Sequence, residues 1–218
     1  MPDYAAARLN MVESQVRPNK VTDPRLLEAL LEVPREGFVS DQLRGVAYVD
    51  EDVPLGGGRF LMEPMVFARL VQTAAVKPGD TVLEVGCGTG YGAAVLARLG
   101  ARVVTLESDP ELGRQAEANL RRLGVSNAKV VVGPLAGGFA AAAPYAVILF
   151  AGAVERVPPS ITEQLAEGGR LVAVIAPAGE PGRATLITRV GGALSRRVVF
   201  DAGTPVLPGL QLEPGFVF

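Results

Sequence analysis

From residue 76 onward the chain alternates between short apolar runs and amphipathic segments. Five runs lack polar alternation, which predicts strands buried on both faces of a sheet. They are residues 81–85, 102–106, 128–132, 146–150 and 170–175. Amphipathic segments between them predict helices at residues 91–99, 110–123 and 159–166. Two further runs, 184–190 and 196–200, flank Gly191-Gly192 and predict a terminal hairpin.

Strands and helices that alternate this regularly predict an α/β fold, with an open parallel sheet covered by helices on both faces. The first 76 residues have a different pattern. Helical periodicity at residues 10–16, 24–33 and 64–75 predicts an N-terminal helical extension. The segment Pro54-Leu-Gly-Gly-Gly-Arg59 predicts a turn or loop. The tail, residues 205–218, is apolar and proline-spaced, and we expect it to pack on the domain surface, with a dimer contact as the alternative.

Composition narrows the class of protein. The chain has 218 residues, of which 49% are hydrophobic and 20% charged, enough to bury a large core. The net charge of −2 provides no overall positive field, so we expect no nucleic-acid partner. The chain has no histidine, which excludes Ser-His-Asp catalysis and histidine-ligated zinc. The single cysteine, Cys87, excludes intrachain disulfides and cysteine-cluster metal sites, so we expect no metal.

The sequence shows no apolar leader, and its longest uncharged window, residues 130–154, is interrupted by glycines and prolines. We therefore expect a cytoplasmic protein without a membrane segment.

The most informative stretch is the glycine loop between the first two predicted elements of the α/β region. Gly86, Gly88 and Gly90 follow a strand and precede a helix, at the sheet edge where ligands bind. A dinucleotide site is one interpretation, because Gly88, Gly90 and Ala93 satisfy its spacing loosely. Glu84 favours S-adenosylmethionine instead, because a carboxylate would repel a pyrophosphate and attract a sulfonium.

A second acid, Glu107, ends the next predicted strand, 21 positions after Gly86. At this position a carboxylate accepts hydrogen bonds from ribose hydroxyls, which suits either class of nucleotide. Cys87 lies inside the loop with no base near it in sequence, which favours a small loop residue over a nucleophile.

Several motifs together resemble the protein-L-isoaspartate O-methyltransferase family of class I S-adenosylmethionine-dependent methyltransferases. The resemblance covers nearly the whole chain, and its specific part is N-terminal. The matching segments are Met11-Val-Glu-Ser-Gln-Val-Arg17, Val33-Pro-Arg-Glu-Gly-Phe-Val39, Pro54-Leu-Gly56, Lys77-Pro-Gly-Asp80, Val157-Pro-Pro159 and Gly168-Gly-Arg-Leu-Val172.

The resemblance implies a Rossmann-like fold, with a seven-stranded, mostly parallel sheet that ends in an antiparallel hairpin. It implies methylation of the α-carboxylate of L-isoaspartyl residues, which begins the repair of damaged proteins, and S-adenosylmethionine as cofactor. The cofactor-binding residues it implies are Glu84, Gly86, Cys87, Gly88, Thr89, Gly90, Glu107, Ser108, Pro134 and Leu135. The partner is then an isoaspartyl protein or peptide, and a monomer is favoured. We expect residues 1–76 to carry the helical extension and the acceptor loop, and residues 77–218 to form the cofactor-binding domain, in one compact unit.

This sequence departs from the family in the acceptor loop, residues 58–64. The family pattern "G-Q-T-I-S-Q-P" is replaced by Gly58-Arg-Phe-Leu-Met-Glu-Pro64. The threonine position is Phe60, the serine position is Met62, and the second glutamine position is Glu63, which would repel an anionic acceptor. Arg59 is a candidate to pair with a carboxylate there, and the candidate acceptor-site residues are Arg59, Phe60, Leu61, Met62 and Glu63.

Pro134 stands where the family has an aspartate that would bind the adenine amino group, so backbone carbonyls would have to take its place. Two alternatives therefore remain open at this point: a methyltransferase with a different acceptor, or a relative that binds the cofactor without catalysis.

Overall fold

The computed structural model describes residues 3–212, and its centre is a seven-stranded sheet in the order β5-β4-β3-β6-β7-β8-β9. Strands β3 to β7 are parallel, and β8 and β9 are antiparallel. The strands are β3 (Thr81–Val85), β4 (Arg102–Glu107), β5 (Ala128–Val132), β6 (Tyr145–Val154), β7 (Leu165–Ile175), β8 (Arg183–Val190) and β9 (Ala193–Asp201), with β1 (Val53–Gly56) and β2 (Arg59–Leu61) forming a separate hairpin. The predicted sheet with its terminal hairpin is confirmed.

The helices cover both faces of the sheet. They are α1 (Tyr4–Met11), α2 (Pro24–Glu32), α3 (Pro64–Ala74), α4 (Tyr91–Arg98), α5 (Pro110–Arg122) and α6 (Pro159–Thr162), with a π-helical turn over Val12–Val16 and short 3₁₀ turns elsewhere. Asp109 begins α5 by accepting hydrogen bonds from the amides of Glu111 and Leu112, the capping pattern expected of this residue.

Successive residues of the parallel strands point into two different apolar clusters. On β3, Val82 packs in the cluster with α1 to α4, whereas Leu83 packs in the cluster on the opposite face, which also contains Ile161 of α6. Because neighbouring side chains of a strand project to opposite faces, a run without polar residues is what such a strand requires. The uninterrupted apolar runs of the sequence therefore reflect burial from both sides.

Two local predictions are wrong. The helix expected over 159–166 ends at Thr162, because Leu165 pairs with Tyr145 and β7 begins there. The turn or loop expected at 54–59 is shorter than predicted: the turn lies at Gly57-Gly58, and the residues on either side pair as β1 and β2.

The tail packs against the domain as expected for its described part, residues 205–212. Leu207 and Leu210 are buried in the cluster that contains α6. The remainder of the tail lies outside the described residues, and the division of the chain at residue 76 stays a prediction.

A buried arginine holds the hairpin region against the N-terminal extension. Arg35 is completely buried, and it donates to the carbonyl oxygens of Ala47, at 2.6 Å, and Met62, at 2.7 Å. Its guanidinium lies 5.1 Å from the centre of the Tyr91 ring at the start of α4. Arg35 therefore connects the acceptor loop, the extension and the first helix after the glycine loop.

We expect Arg35→Met to destabilise the protein. The variant keeps the apolar stem but leaves the carbonyls of Ala47 and Met62 without donors, and each buried acceptor without a donor costs about 1–3 kcal/mol. The free energy of unfolding in urea should fall by about 2–4 kcal/mol. The control is Arg44→Met, whose side chain is 47% exposed and pairs with the exposed Asp41, so its change should stay below about 1 kcal/mol. Equal losses in the two variants would contradict the role of Arg35.

Candidate functional site

The loop between β3 and α4 turns through three glycines with positive φ. The φ angles are +84° at Gly86, +55° at Gly88 and +92° at Gly90, which residues with a side chain rarely adopt. The amides of Gly86 and Cys87 donate to the carbonyl of Leu106, at 2.8 and 3.2 Å. The loop is thereby fixed to the end of β4, at the carboxyl edge of the sheet.

Glu107 ends β4 at this edge and is completely buried. Its Oε1 accepts from the amides of Ser108, at 2.7 Å, and Asp109, at 3.1 Å. Its Oε2 accepts from the amide of Gly88, at 2.7 Å, and from Nη2 of Arg59, at 2.9 Å. Several donors converge on one carboxylate, so Glu107 is held in a single orientation.

Glu84 lies opposite Thr105 on the neighbouring strand and is also completely buried. Its Oε2 accepts a hydrogen bond from the Thr105 hydroxyl at 2.5 Å, whereas Oε1 makes none among the described residues. Burial raises the pKa of Glu84 to about 7, the Thr105 hydrogen bond opposes this shift, and the negative charge of Glu107 adds to it. Near neutral pH this carboxyl group therefore exists in both its protonated and its ionised form.

The remaining residues expected around a cofactor lie close to Glu107. The amide of Gly133 donates to the Glu107 carbonyl at 2.9 Å, which places Pro134 and Leu135 just beyond the end of β5, beside the end of β4. Pro134 and Ser108 are exposed, whereas Leu135 is buried.

Two residues of the glycine loop, Thr89 and Cys87, have side chains that are buried in contacts within the protein. The Thr89 hydroxyl donates to the carbonyl of Phe38 at 2.6 Å, tying the loop to the N-terminal extension. Cys87 is buried, and its burial, together with the negative charge of Glu84, raises the pKa of the thiol well above its usual value. A thiol that stays protonated is a poor nucleophile, which agrees with Cys87 as a loop residue.

The β1–β2 hairpin lies directly over the glycine loop. A methyl group added at Gly86 would come within 2.8 Å of Arg59 Nη2 and 2.9 Å of Leu207 Cδ2, and one added at Gly88 within 2.6 Å of Leu55 Cδ1. The open face that the glycines leave is therefore covered by side chains of the hairpin and the tail.

Little space remains between the acceptor loop and the glycine loop. A cavity of about 20 Å³ is lined by residues from both, including Phe60, Leu61, Met62, Glu84 and Gly86. A cavity of this size holds about one water molecule, whereas small-molecule sites usually measure about 300–1,000 Å³. The structure brings the predicted acceptor and cofactor residues together, in a closed arrangement.

Glu63, the last acceptor-loop candidate, lies in an acidic environment. Its amide donates to Asp52 Oδ1 at 2.9 Å, and the Thr204 hydroxyl donates to the same oxygen at 3.1 Å, so the acceptor loop and the residue just before the tail share one carboxylate. Partial burial and the charges of Asp50, Asp52 and Glu51 raise the pKa of Glu63 to about 7. The negative charge expected from the sequence is thus only partly present at neutral pH.

The structure adds contacts that the sequence did not predict. Arg59 pairs with Glu107, not with Glu63. Leu55 and Leu207 cover the glycine loop, and nothing in the local sequence around Leu207 indicates this contact. The glycine run before Arg59 predicted a turn or loop, and the strands on either side of it were not predicted.

Comparisons with known proteins agree with the geometry. A family model described as protein-L-isoaspartate(D-aspartate) O-methyltransferase matches residues 7–199. Protein-L-isoaspartate O-methyltransferase of Koribacter versatilis is 39% identical over 95% of this chain and 93% of its own length. The enzyme of the same name from Methylorubrum extorquens is 42% identical over 86% of this chain and 80% of its own length.

Solved structures agree as well. A protein-L-isoaspartate O-methyltransferase superposes with a TM-score of 0.83 at 27% identity, covering 94% of this chain and 67% of that one. A Plasmodium falciparum protein, solved in complex with S-adenosyl-L-homocysteine, superposes with a TM-score of 0.80 at 19% identity, covering 96% of this chain and all of that one, and shows the shared fold.

The raised pKa of Glu84 predicts a specific pH dependence of stability. Because the folded protein binds this proton more tightly than the unfolded chain, the contribution of Glu84 to stability is complete below pH 4.5 and lost as the pH rises to about 7. The loss is on the order of 3 kcal/mol. Glu84→Gln cannot ionise, so in urea unfolding it should gain about that much relative to wild type between pH 5 and pH 8.

The exposed Glu28→Gln is the matched control and should follow the wild type at both pH values. A constant difference between wild type and Glu84→Gln across this range would contradict the assignment.

Proposed function

The chain belongs to the protein-L-isoaspartate O-methyltransferase family, and from this premise we propose that it transfers a methyl group from S-adenosyl-L-methionine to the α-carboxylate of L-isoaspartyl residues in damaged proteins. One observation carries the proposal within the structure: Glu84, the three glycines and Glu107 meet at one edge of the sheet. Pairs of carboxylates without a phosphate-binding lysine suit a ligand that is cationic and rich in hydroxyls.

The residues present fit this cofactor in their chemistry. When bound, S-adenosyl-L-methionine supplies an electrophilic methyl group on a positively charged sulfur. Glu107 would accept hydrogen bonds from the ribose hydroxyls, Glu84 would lie near the positive charges, and backbone carbonyls near Pro134 and Leu135 would bind the adenine. The hairpin closes this crevice, so loading requires Leu55 and Arg59 to move away from the glycine loop.

Methyl transfer to a carboxylate suits a chain without histidine. The acceptor is already ionised at neutral pH, so no general base is needed, and alignment and exclusion of water carry the reaction. Phe60, Leu61 and Met62 provide an apolar wall beside the glycine loop for this purpose. The raised pKa of Glu63 lowers its average negative charge at neutral pH, which weakens its repulsion of an anionic acceptor.

Assembly and location form part of the same proposal. We expect a monomer that acts in the cytoplasm on isoaspartyl proteins and binds no nucleic acid. The net charge of −2 supports the absence of a nucleic-acid partner, and the single cysteine suits the reducing cytoplasm. Within residues 3–212, no helix has the length and apolar character needed to cross a membrane.

Incubation with an isoaspartyl peptide and methyl-labelled S-adenosyl-L-methionine tests the proposal. We expect a base-labile methyl ester on this peptide and none on the same peptide with aspartate, because the acceptor is the α-carboxylate freed by the isoaspartyl linkage. Calorimetry with S-adenosyl-L-homocysteine and with NAD checks the cofactor class independently. Binding of S-adenosyl-L-homocysteine without transfer to this peptide would contradict isoaspartyl methylation and indicate a different acceptor or a non-catalytic relative. Binding of NAD alone would contradict the cofactor.

Met62→Ser tests the altered acceptor loop. A serine hydroxyl can donate to the acceptor carboxylate, so we expect kcat/KM for the isoaspartyl peptide to rise by about tenfold, the value of one hydrogen bond to a charged group. Because Met62 is buried, the shorter side chain should also cost about 2–4 kcal/mol of stability. Met62→Ala creates a similar cavity without a hydroxyl and should lose stability without gaining activity. Equal activities of the two variants would show that the hydroxyl has no role.

A further inference from the structure

Arg59 is a buried cation whose hydrogen bonds are incomplete. Its side chain is 2% exposed, and its single ion pair joins Nη2 to Glu107 Oε2. The other two nitrogens, Nε and Nη1, are buried and have no hydrogen-bond partner among the described residues. A guanidinium offers five N–H donors in a planar fork, and buried polar groups are normally paired. The unpaired N–H groups of Arg59 can therefore bind an anion. A carboxylate fits the planar fork once Nη2 is also released, because each bidentate edge of a guanidinium combines Nη2 with either Nε or Nη1.

The position of Arg59 places its guanidinium at the site. Its Nη2 lies against Gly86, where an added methyl group would come within 2.8 Å. Its partner, Glu107, is the acid expected to bind the ribose hydroxyls. Arg59 thus occupies a donor position on Glu107 that a cofactor hydroxyl would need.

The acceptor loop offers no other cation for an anionic substrate. Residues 50–64 contain four acids and one basic residue, Arg59. The other nearby guanidinium, that of Arg35, donates Nε and Nη2 to the carbonyls of Ala47 and Met62, so its Nη1 alone lacks a partner among the described residues. A carboxylate that enters beside the acids of this segment therefore requires the charge of Arg59 for compensation.

The β1–β2 hairpin, which contains Arg59, is only weakly stabilised by backbone pairing. The β1–β2 hairpin has three paired positions, separate from the main sheet, and Gly56, Gly57 and Gly58 all have positive φ. A two-stranded hairpin of this size has little stability of its own. Its place over the glycine loop depends on side-chain contacts, which include the Arg59–Glu107 ion pair.

We propose that Arg59 is the residue that binds the acceptor carboxylate, and that Arg59 stays paired with Glu107 until the cofactor binds. Glu107 exchanges the guanidinium for the ribose hydroxyls, and the released Arg59 then pairs through its planar fork with the α-carboxylate of the isoaspartyl residue. This inference rests on the proposed function and adds to it a coupling between the two sites. Because Arg59 loses one partner and gains another, cofactor and acceptor each strengthen the binding of the other.

Calorimetry with S-adenosyl-L-homocysteine, with and without a saturating isoaspartyl peptide, tests this coupling. For the wild type, we expect the peptide to tighten binding by about tenfold. For Arg59→Gln, we expect binding without peptide to be about tenfold tighter than in wild type, because Glu107 no longer gives up a cation, and the peptide to change it less than about twofold. The peptide KM of this variant should rise by about tenfold or more while kcat changes little, since a lost charge-assisted bidentate contact weakens acceptor binding.

Two further variants separate the charge of Arg59 from the steric cover of the hairpin. Leu55→Ala uncovers Gly88 without touching the ion pair, so it should keep the wild-type response to the peptide. Arg59→Lys keeps the charge and loses the fork, so its binding of S-adenosyl-L-homocysteine should resemble wild type while its peptide KM rises. If Arg59→Gln does not fold, the peptide KM of Arg59→Lys provides the test instead.

The outcomes distinguish the inference from the proposed function. A wild type that methylates the peptide, while Arg59→Gln keeps the same coupling and the same peptide KM, overturns the role of Arg59 and leaves the proposed function intact. A wild type that neither binds nor methylates the peptide overturns both. Unchanged or weaker binding of S-adenosyl-L-homocysteine by a folded Arg59→Gln overturns the proposed exchange, in which Glu107 releases Arg59 when the ribose hydroxyls bind.

Discussion

Two buried carboxylates at the ends of adjacent parallel strands are the constraint on which the rest of the site depends. A carboxyl group inside a protein must either keep its proton or accept hydrogen bonds from several donors. Glu84 meets this requirement with a raised pKa and one hydroxyl donor, whereas Glu107 meets it with backbone amides and the Arg59 guanidinium. The arrangement of the glycine loop, which directs the Gly88 amide at Glu107, and the position of the hairpin both follow from these needs.

Most of the sheet could be predicted because its signal is local. Strands buried on both faces need apolar runs, and the runs at 81–85 and 128–132 match β3 and β5 residue for residue. The prediction was wrong where pairing with a distant strand decided the structure. Residues after Thr162 continue a helical pattern, yet Leu165 finds a partner in Tyr145 on β6, and this contact outweighs local preference.

For the site, too, the local features could be predicted from the sequence and the contacts between distant residues could not. Glu84, Glu107 and the glycines could be found from spacing alone, because the fold fixes where a strand meets the loop that follows it. The Arg59–Glu107 pair joins residues 48 positions apart, and Leu207 reaches Gly86 from far along the chain. Such contacts depend on three-dimensional packing, which no local pattern encodes. Arg59 could be predicted to pair with a carboxylate, but the partner, Glu107, could be identified only in the folded structure.

The shared carboxylate of Asp52 has a consequence for how the affinity of this protein can be adjusted. Asp52 accepts from the Glu63 amide and from the hydroxyl of Thr204, which lies 152 positions away in sequence and directly before the tail that places Leu207 on the glycine loop. Opening of the crevice therefore involves the acceptor loop and the segment around residues 204–207 together. Substitutions in the tail, outside any motif, can make opening easier or harder, so sequence drift there can tune ligand affinity while every site residue is retained.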